Sequence, residues 1–309
     1  MKKTVALLSA SGIGDALLMM IAYHNLEQRG FEPTFFHEKA EALSFLFPLR
    51  RIKKPSSCYA GFDFILIEND NSKRAWDLFR IRENLPSMHV FFPSPCRAKK
   101  EQDFLFNPKM TVASSIALGL EKFFGGSFSK ENGLTPPLNA TYRKYKKRII
   151  LHPTSSSVKR NWLPKQFISL SKKLISDGFS PAFLVSKSEY PYWEFAKSEG
   201  IDVPFFDNLN ETAHYIYESG YFIGNDSGLG HLASNLKIQT LTLSGNARKI
   251  RLWRPDFFKN DLLTTPFPLP NFKGIGLTFR DHFWPLFLPV THVYNRFKKV
   301  YGKSSHYTG

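Results

Sequence analysis

The sequence predicts an α/β protein built from two consecutive parallel-sheet domains, and three observations support this prediction. Short apolar runs alternate with amphipathic stretches along the chain, which is the pattern of strands joined by helical crossovers. The pattern occurs twice, because each half opens with an apolar run that ends in a loop of small residues, LLSASGIGD and ILHPTSSS. The length of 309 residues also favours about two domains.

The first half carries four strand-like runs, TVALLSA, FEPTFFHE, FDFILIEN and MHVFFP, each rich in apolar residues. The segments between them show the spacing of amphipathic helices. Gly30 is placed to cap the first of these helices at its C-terminus. Helices are predicted at 14–30, 38–47, 72–82 and 108–123.

The second half repeats the pattern after a link. The proline-containing segment 133–140 and the basic stretch 141–148 predict this connection. Strands are then expected in RIILHP, SPAFLVS, DVPFF, YFIGND and TLTLSG. Helices are expected in PKQFISLSKKLISDGF, YPYWEFAKSEG, NETAHYIYESG and GLGHLASNLK, with Asn210 as the N-cap of the third. The predicted domains are 1–140 and 148–288, followed by a C-terminal helix and tail at 289–309.

The loops that follow the opening strands of the two halves lie at the carboxyl ends of the predicted sheets. Open α/β folds bind ligands at this edge. We therefore expect two Rossmann-like domains facing a central cleft, with the cleft as the favoured place for a site. Three segments are candidates to form that site: SASGIGD, HPTSSSVKRNWLP and GNDSGLGH.

The chain carries a formal net charge of +16, which points to an anionic partner. Specific binding of nucleic acid is disfavoured, because no zinc-finger spacing, aromatic RNP pattern or basic region with heptads accompanies the charge. Two basic clusters are present, one at 143–148 and one at 296–303. Phe283, Trp284 and Phe287 lie near the second cluster, which favours attraction to an anionic membrane surface.

The sequence predicts a protein of a reducing compartment. Its two cysteines, Cys58 and Cys96, form no paired motif, which argues against a disulfide framework and a zinc site. The N-terminus resembles a signal peptide, but Asp15 and small polar residues interrupt its apolar run. No run reaches the roughly 18 apolar residues of a membrane span. We expect a cytoplasmic protein that can associate with the inner face of the cytoplasmic membrane.

Asp15 is the first candidate for chemistry, because it lies where the first helix is expected to begin. Two roles are open to it. An aspartate at this place can cap the helix or complement the helix dipole. Alternatively, its carboxylate can accept a proton from a substrate hydroxyl. The surrounding SASGIGD is a weak dinucleotide fingerprint, because it lacks the G-x-G-x-x-G spacing.

Two further loops combine features that bind phosphate. HPTSSSVKRNWLP offers hydroxyls such as that of Ser155 beside the cations Lys159 and Arg160. GNDSGLGH offers the Ser227 hydroxyl and the free amides of a helix that begins near Gly228. The alternatives are an ordinary serine-rich loop for the first and a plain glycine turn for the second.

Three other features of the sequence, a histidine, an aspartate and an acidic segment, allow more than one interpretation. His231 by itself is read as a satisfied histidine at a helix start, and no G-x-S-x-G elbow supports a hydrolase triad. Asp226 beside a phosphate is expected to order the loop or to contact a sugar hydroxyl. The acids of ENDN at 68–71 could hold a divalent metal, but acids at a strand end are common and no metal site is expected.

The motifs together resemble glycosyltransferase family 9, the ADP-heptose:lipopolysaccharide heptosyltransferases. The resemblance rests on SASGIGDALLMM, on HPTSSSVKRNWLPKQF and on IGNDSGLGHLAS followed by TLTLSGN, in that order. It implies a GT-B fold with the nucleotide-sugar mainly on the C-terminal domain, and inverting transfer without a metal.

The resemblance also implies roles for individual residues. Asp15 matches the catalytic base of the family, and Arg160 matches the lysine that binds the donor phosphates, with Lys159 able to substitute. Ser155, Ser227 and Gly228 are expected to contact the phosphates as well. The donor loop is expected to include Asp226, Leu229 and His231. The sequence departs from the family pattern at Arg160, at Leu163 in place of a proline after Trp162, and at Gly230.

The predicted function is transfer of a sugar, expected to be heptose, from a nucleoside-diphosphate donor to a lipopolysaccharide-type or other cell-envelope glycan. ADP-heptose is expected as a substrate, and no separate cofactor is expected. The alternatives are a protein O-glycosyltransferase, a sugar-nucleotide epimerase and a relative that binds nucleotide-sugar or glycan without turnover.

Overall fold

A computed structural model describes residues 2–56, 58–85, 87–267, 269–270 and 279–305, with side chains described as far as residue 300. The chain divides into two compact units, Met1–Thr135 and Pro136–Gly309. No helix among these residues has both the length and the apolar character that crossing a membrane requires.

The first unit is a six-stranded parallel sheet with helical crossovers. Its strands are β1 (Thr4–Leu8), β2 (Glu32–Phe36), β3 (Ile52–Lys53), β4 (Phe64–Glu68), β5 (Met88–Phe92) and β6 (Phe104–Leu105). Its helices are α1 (Ile13–Gln28), α2 (Ala40–Leu46), α3 (Lys73–Arg80) and α4 (Val112–Phe124). The strand order is β3-β2-β1-β4-β5-β6. Because the order reverses between β1 and β4, the loops after these two strands flank the switch point at which such sheets bind ligands.

The second unit is a five-stranded parallel sheet of order β11-β10-β9-β7-β8. Its strands are β7 (Tyr145–His152), β8 (Ser180–Phe183), β9 (Ser219–Asn225), β10 (Gln239–Leu243) and β11 (Asn260–Leu263). Its helices are α5 (Pro164–Ser176), α6 (Tyr190–Trp193), α7 (Leu209–Tyr217), α8 (Gly228–Asn235), α9 (Ala247–Trp253), α10 (Phe279–Phe283) and α11 (Val290–Ser305). Here the switch point lies between β7 and β9, so the loops after these strands are neighbours.

The central strands contain runs of buried apolar residues because both faces of each sheet are covered. Residues 5–8 of β1 and residues 149–151 of β7 are fully buried. Helices begin where a side chain can accept a hydrogen bond from a first-turn amide. Ser72, Thr111, Asn208, Ser227 and Asn246 each do so.

The predicted alternation of strands and helices is confirmed, with several corrections. Strands β3 and β6 were not predicted, because two residues are too few to show periodicity. Strand β11 and helices α9 and α10 were not predicted either. The expected strand DVPFF forms only an isolated bridge from Asp202 to Ala182. Helix α7 begins at Leu209 with Asn208 as its cap, in place of Asn210. The basic stretch 141–148 is not a free link, because its second half belongs to β7.

Candidate active site

Asp15 lies in the first turn of α1, directly after the loop that leaves β1. Its carboxylate folds back over that loop, since a Cβ atom placed on Gly12 would lie 2.4 Å from Asp15 Oδ2. Position 12 therefore requires glycine for Asp15 to keep this orientation. The helix N-terminus favours a negative charge at Asp15, and the side chain is partly exposed. The structure thus supports the dipole role and leaves the carboxylate accessible for chemistry.

Buried polar side chains fix the loop between β1 and α1. The backbone N–H of Ala10 donates to Glu68 Oε2 at 3.3 Å, and the Arg74 guanidinium donates to the carbonyl oxygen of Ser9. His37 Nε2 lies 2.9 Å from the carbonyl oxygen of Ala10. We call Glu68, His37 and Arg74 the loop clamp.

The protonation of His37 follows from its two contacts. Its Nδ1 accepts from the backbone N–H of Lys39 at 3.0 Å, so Nε2 carries the proton and donates to Ala10. Burial lowers the pKa of His37, which keeps the imidazole neutral. Sequence reasoning missed this residue, and considered Glu68 only as a metal ligand. In the described part of the chain, no three His, Cys, Asp or Glu side chains are grouped to hold a metal ion.

The second switch point brings Arg160 and Asp226 together across 66 positions of sequence. Arg160 ends the 3₁₀ turn after β7, and Asp226 follows β9. The Arg160 Nη1 atom lies 3.2 Å from Asp226 Oδ2, and Nη2 donates to the Ser156 hydroxyl. The Arg160 side chain is 33% exposed. The predicted phosphate cation is therefore accessible, and the predicted donor-loop acid forms an ion pair with it.

Asn225 joins the two loops that carry these groups. Its side chain is buried, with Oδ1 accepting from the Trp162 backbone N–H at 2.9 Å and Nδ2 donating to the Pro153 carbonyl at 2.8 Å. Both contacts are made to the segment after β7, so the carboxyl ends of β7 and β9 are held in one register. Sequence reasoning missed this amide, although its place at a strand end next to Asp226 was a usable signal.

Ser155 serves the shape of its own loop. Its Oγ lies 2.7 Å from Asn161 Oδ1 and 2.9 Å from the Ser157 carbonyl oxygen, and it accepts from the Ser157 N–H. These contacts occupy the hydroxyl, so its expected contact with phosphate stays a prediction.

Lys159 differs from Arg160 in its surroundings. Its side chain is exposed, whereas its carbonyl oxygen accepts from Trp284 Nε1 at 3.0 Å. The Trp284 ring is buried and packs on Gly245, where a Cβ would lie 2.2 Å from Trp284 Cγ. The aromatic stretch near the second basic cluster was expected to meet a membrane. For Trp284 this expectation is wrong, because its ring supports the basic loop; Phe283 is exposed and Phe287 packs against the core.

Ser227 caps α8, with Oγ accepting from the Gly230 N–H at 3.4 Å. Gly228 and Leu229 lie in the first turn of α8 and are partly exposed. Because they lie in the first turn, their N–H groups have no acceptor within the helix. This helix start is a place where an anion is stabilised by amides and by the helix dipole. It lies next to Asp226, and so to the accessible Arg160.

His231 is buried in the same helix, and burial lowers its pKa, opposed by the charge of Asp226 and a bond to the Trp253 backbone. Its Nδ1 has no hydrogen-bond partner among the described residues. Gly230, where the sequence departs from the family pattern, has room for a side chain, since a Cβ would lie 3.7 Å from Phe222 and Pro255. The absence of a Cβ at this position is not required by packing.

Comparisons with known proteins identify a related family and a shared fold. The sequence model of glycosyltransferase family 9 (heptosyltransferase) matches residues 127–255. That range contains both loops of the second switch point. A comparison with curated protein sequences finds no significant match.

Three solved structures share the fold. The heptosyltransferase WaaC of E. coli with ADP has a TM-score of 0.68 at 12% identity, over 96% of this chain and 99% of that chain. ADP-heptose lps heptosyltransferase II of E. coli has a TM-score of 0.67 at 13% identity, over 99% and 100%. The iron-containing dodecameric glycosyltransferase TibC of enterotoxigenic E. coli H10407 has a TM-score of 0.62 at 12% identity, over 98% and 76%.

The GT-B fold predicted from the sequence is confirmed by these likenesses, which extend over nearly the whole chain. The family match covers the predicted phosphate-binding loops. The resemblance to glycosyltransferase family 9 (heptosyltransferase) is thereby confirmed for residues 127–255, which the family model matches, and the fold of the chain is that of the heptosyltransferase structures.

Proposed function

We propose that this protein is an inverting, metal-independent glycosyltransferase that moves heptose from ADP-heptose to a lipopolysaccharide-type or other cell-envelope glycan. The observation that carries the proposal is the pairing at the second switch point of an accessible Arg160 with the start of α8. An arginine beside free helix amides is an arrangement that binds a diphosphate.

The donor diphosphate is assigned to the second unit. Its oxygens accept from the first-turn N–H groups of α8 and from the Arg160 guanidinium, which then exchanges its contact with Asp226 for the substrate. Asp226 is released to order the loop or to contact a sugar hydroxyl. Ser227 continues to cap the helix and keeps the amides in place.

The base is assigned to the first unit. Asp15 takes the proton of the acceptor hydroxyl as that oxygen attacks the anomeric carbon. The bond from the anomeric carbon to the diphosphate breaks in the same displacement, so ADP leaves and the configuration inverts. Arg160 and the α8 amides stabilise the charge that develops on the departing diphosphate.

The choice of donor is supported by what related folds bind. WaaC of E. coli has been solved with ADP and with ADP-2-deoxy-2-fluoro heptose, and TibC with ADP-D-beta-D-heptose. All three ligands carry the diphosphate that the second switch point suits, and two of them also carry a heptose.

A transfer assay with ADP-heptose, GDP-sugars and UDP-sugars, each with and without a chelator, tests the proposed function. We expect turnover with ADP-heptose alone, unaffected by the chelator, and an inverted anomeric centre in the product by NMR. Retained configuration, loss of turnover on chelation, or preference for a UDP- or GDP-sugar would contradict the proposal.

For the acceptor side we propose contact with an anionic membrane surface on the cytoplasmic side, through the first basic cluster. Lys144, Lys146 and Lys147 are exposed, and they line a surface depression with Arg148 and Ser180. In the described part of the chain, no carboxylate forms an ion pair with any cation of residues 143–148.

The second basic cluster is a weaker candidate for that contact, because acids already neutralise part of it. Arg296 pairs with Asp261, and Lys298 Nζ lies 2.7 Å from Asp177 Oδ2. Among the described side chains, the first cluster therefore has more of its positive charge available to a membrane than the second. This reverses the preference that the nearby aromatic residues gave to the second cluster.

Replacing Lys144, Lys146 and Lys147 together with glutamine is expected to weaken binding to vesicles that contain anionic lipid. Each lysine near such a surface contributes about 1 kcal/mol, so the loss should approach roughly 100-fold and disappear at high salt. Sedimentation with vesicles measures it. The matched control replaces three lysines of α5, Lys165, Lys172 and Lys173. Equal losses in the two triple variants, or no loss in the first, would contradict this assignment.

A further inference from the structure

Glu68 is a buried carboxyl group at the first switch point. It ends β4, and its residue is 2% exposed. The preceding residue, Ile67, is in register with Leu8 at the end of β1, so Glu68 lies beside the loop that leads to Asp15. Two carboxyl groups are thus directed to one short loop, one from each side of the switch point.

In the described part of the chain, Glu68 accepts one hydrogen bond and forms no ion pair. Its Oε2 accepts from the backbone N–H of Ala10 at 3.3 Å, a long hydrogen bond from an uncharged donor. Arg74 is the cation of the loop clamp, and its guanidinium donates to the Ser9 carbonyl oxygen. A buried carboxylate without close pairing is strongly disfavoured, so the group takes up a proton instead.

Burial and the nearby acids both favour the neutral form of Glu68. Burial raises the pKa of Glu68 well above its usual value, and the negative charges of Asp15 and Asp70 raise it further. The Ala10 N–H bond and the charge of Arg74 oppose these effects but are not the largest cause. His37, the remaining member of the loop clamp, is neutral, so it supplies no positive charge to Glu68.

We propose that Glu68 is a positioning residue, which holds the loop before α1 as a neutral carboxylic acid and leaves the negative charge of this switch point on Asp15. The negative charge of Asp15 disfavours a second charge on Glu68. Asp15 lies at the N-terminus of α1 and is partly exposed to solvent, whereas Glu68 is buried at the end of β4. This inference rests on the proposed role of Asp15 as base.

The neutral state has a consequence for stability that does not involve activity. A folded-state pKa above the unfolded value means that the folded chain binds more protons, so the free energy of unfolding falls as pH rises between those two values. This loss of stability begins near the unfolded pKa of about 4.3 and is complete above the raised folded pKa. Glutamine accepts the Ala10 hydrogen bond and never ionises.

The test is to compare wild type with E68Q in the full-length protein, by thermal unfolding from acid to alkaline pH and by infrared spectroscopy. We expect the Tm of E68Q to match that of wild type at acid pH and to exceed it by several degrees at alkaline pH. At neutral pH, wild type should show a protonated-carboxyl stretch that E68Q lacks. E41Q, an exposed change on α2 of the same unit, should alter neither.

A rate measurement tests positioning. E68A leaves the partly buried Ala10 N–H without this acceptor and should lower kcat about tenfold, whereas E68Q should recover most of that loss. E68Q as inactive as E68A, an unchanged Tm profile, or a missing infrared difference would overturn the inference. Tm and infrared readouts report on Glu68 even if no sugar is transferred, so a failure of the proposed function is distinguished from a failure of this one.

Discussion

Replacing Asp15 with asparagine is expected to lower the rate of sugar transfer by about 10²–10⁴-fold, the contribution of a general base. Asparagine keeps the shape of the side chain beside Gly12 but cannot take a proton from the acceptor hydroxyl. The affinity for the donor should change little, because the groups assigned to the diphosphate belong to the second unit. Steady-state kinetics and calorimetric titration with ADP-heptose measure the two quantities.

The control for this variant is D77N, which makes the same change at an exposed carboxylate on α3 of the same unit. It should retain wild-type turnover. Turnover of D15N near that of D77N would show that Asp15 is not the base, and would leave only its role at the helix start. A large loss of donor affinity in D15N would show that the assignment of donor and base to separate units is wrong.

The R160A variant is expected to weaken donor binding by about 10- to 100-fold, because a hydrogen bond from a charged group to a phosphate is worth roughly 1.5–3 kcal/mol. The loss includes the effect of leaving Asp226 unpaired next to the phosphates. R160K should recover part of the affinity, since it restores the charge without the planar fork. Titration with ADP-heptose measures each variant.

Two controls sharpen this result. K159A removes the adjacent exposed cation and should change donor affinity much less than R160A. D226N frees Arg160 from its ion pair, so combining it with R160A in a double-mutant cycle separates the lost cation from the unpaired acid. A K159A loss equal to that of R160A would mean that Lys159 is the phosphate cation, and the Arg160 assignment would fail.

Much of the fold could be predicted from the sequence because the apolar runs of the central strands are easy to recognise. The runs that became β1, β7 and β9 are apolar and end in small or polar residues, so strands and loops were recognisable without any contact information. The placement of Asp15 and of the GNDSGLGH segment at helix starts followed from the same pattern. The positions of both loops at switch points then required only the strand order.

The parts that sequence reasoning missed depend on residues far apart in the chain. Asn225 holds Trp162, and Trp284 holds the carbonyl of Lys159 from 125 positions away. Nothing local marks such a tryptophan as buried, so it was read as part of a membrane-facing surface. The same holds for Glu68, because its contact with the Ala10 N–H and its proximity to Asp15 join positions more than 50 residues apart in the chain.

The most direct test of the account measures turnover and donor affinity side by side for D15N and R160A. The account predicts that the two quantities separate: D15N loses turnover and keeps its affinity for ADP-heptose, whereas R160A loses affinity. Only D15N should separate the two quantities, because the base and the phosphate cation belong to different units. R160A should also lose turnover, since Arg160 stabilises the departing diphosphate. Parallel losses of both quantities in both variants, or normal values in either, would contradict the assignment of Asp15 as base and Arg160 as donor ligand.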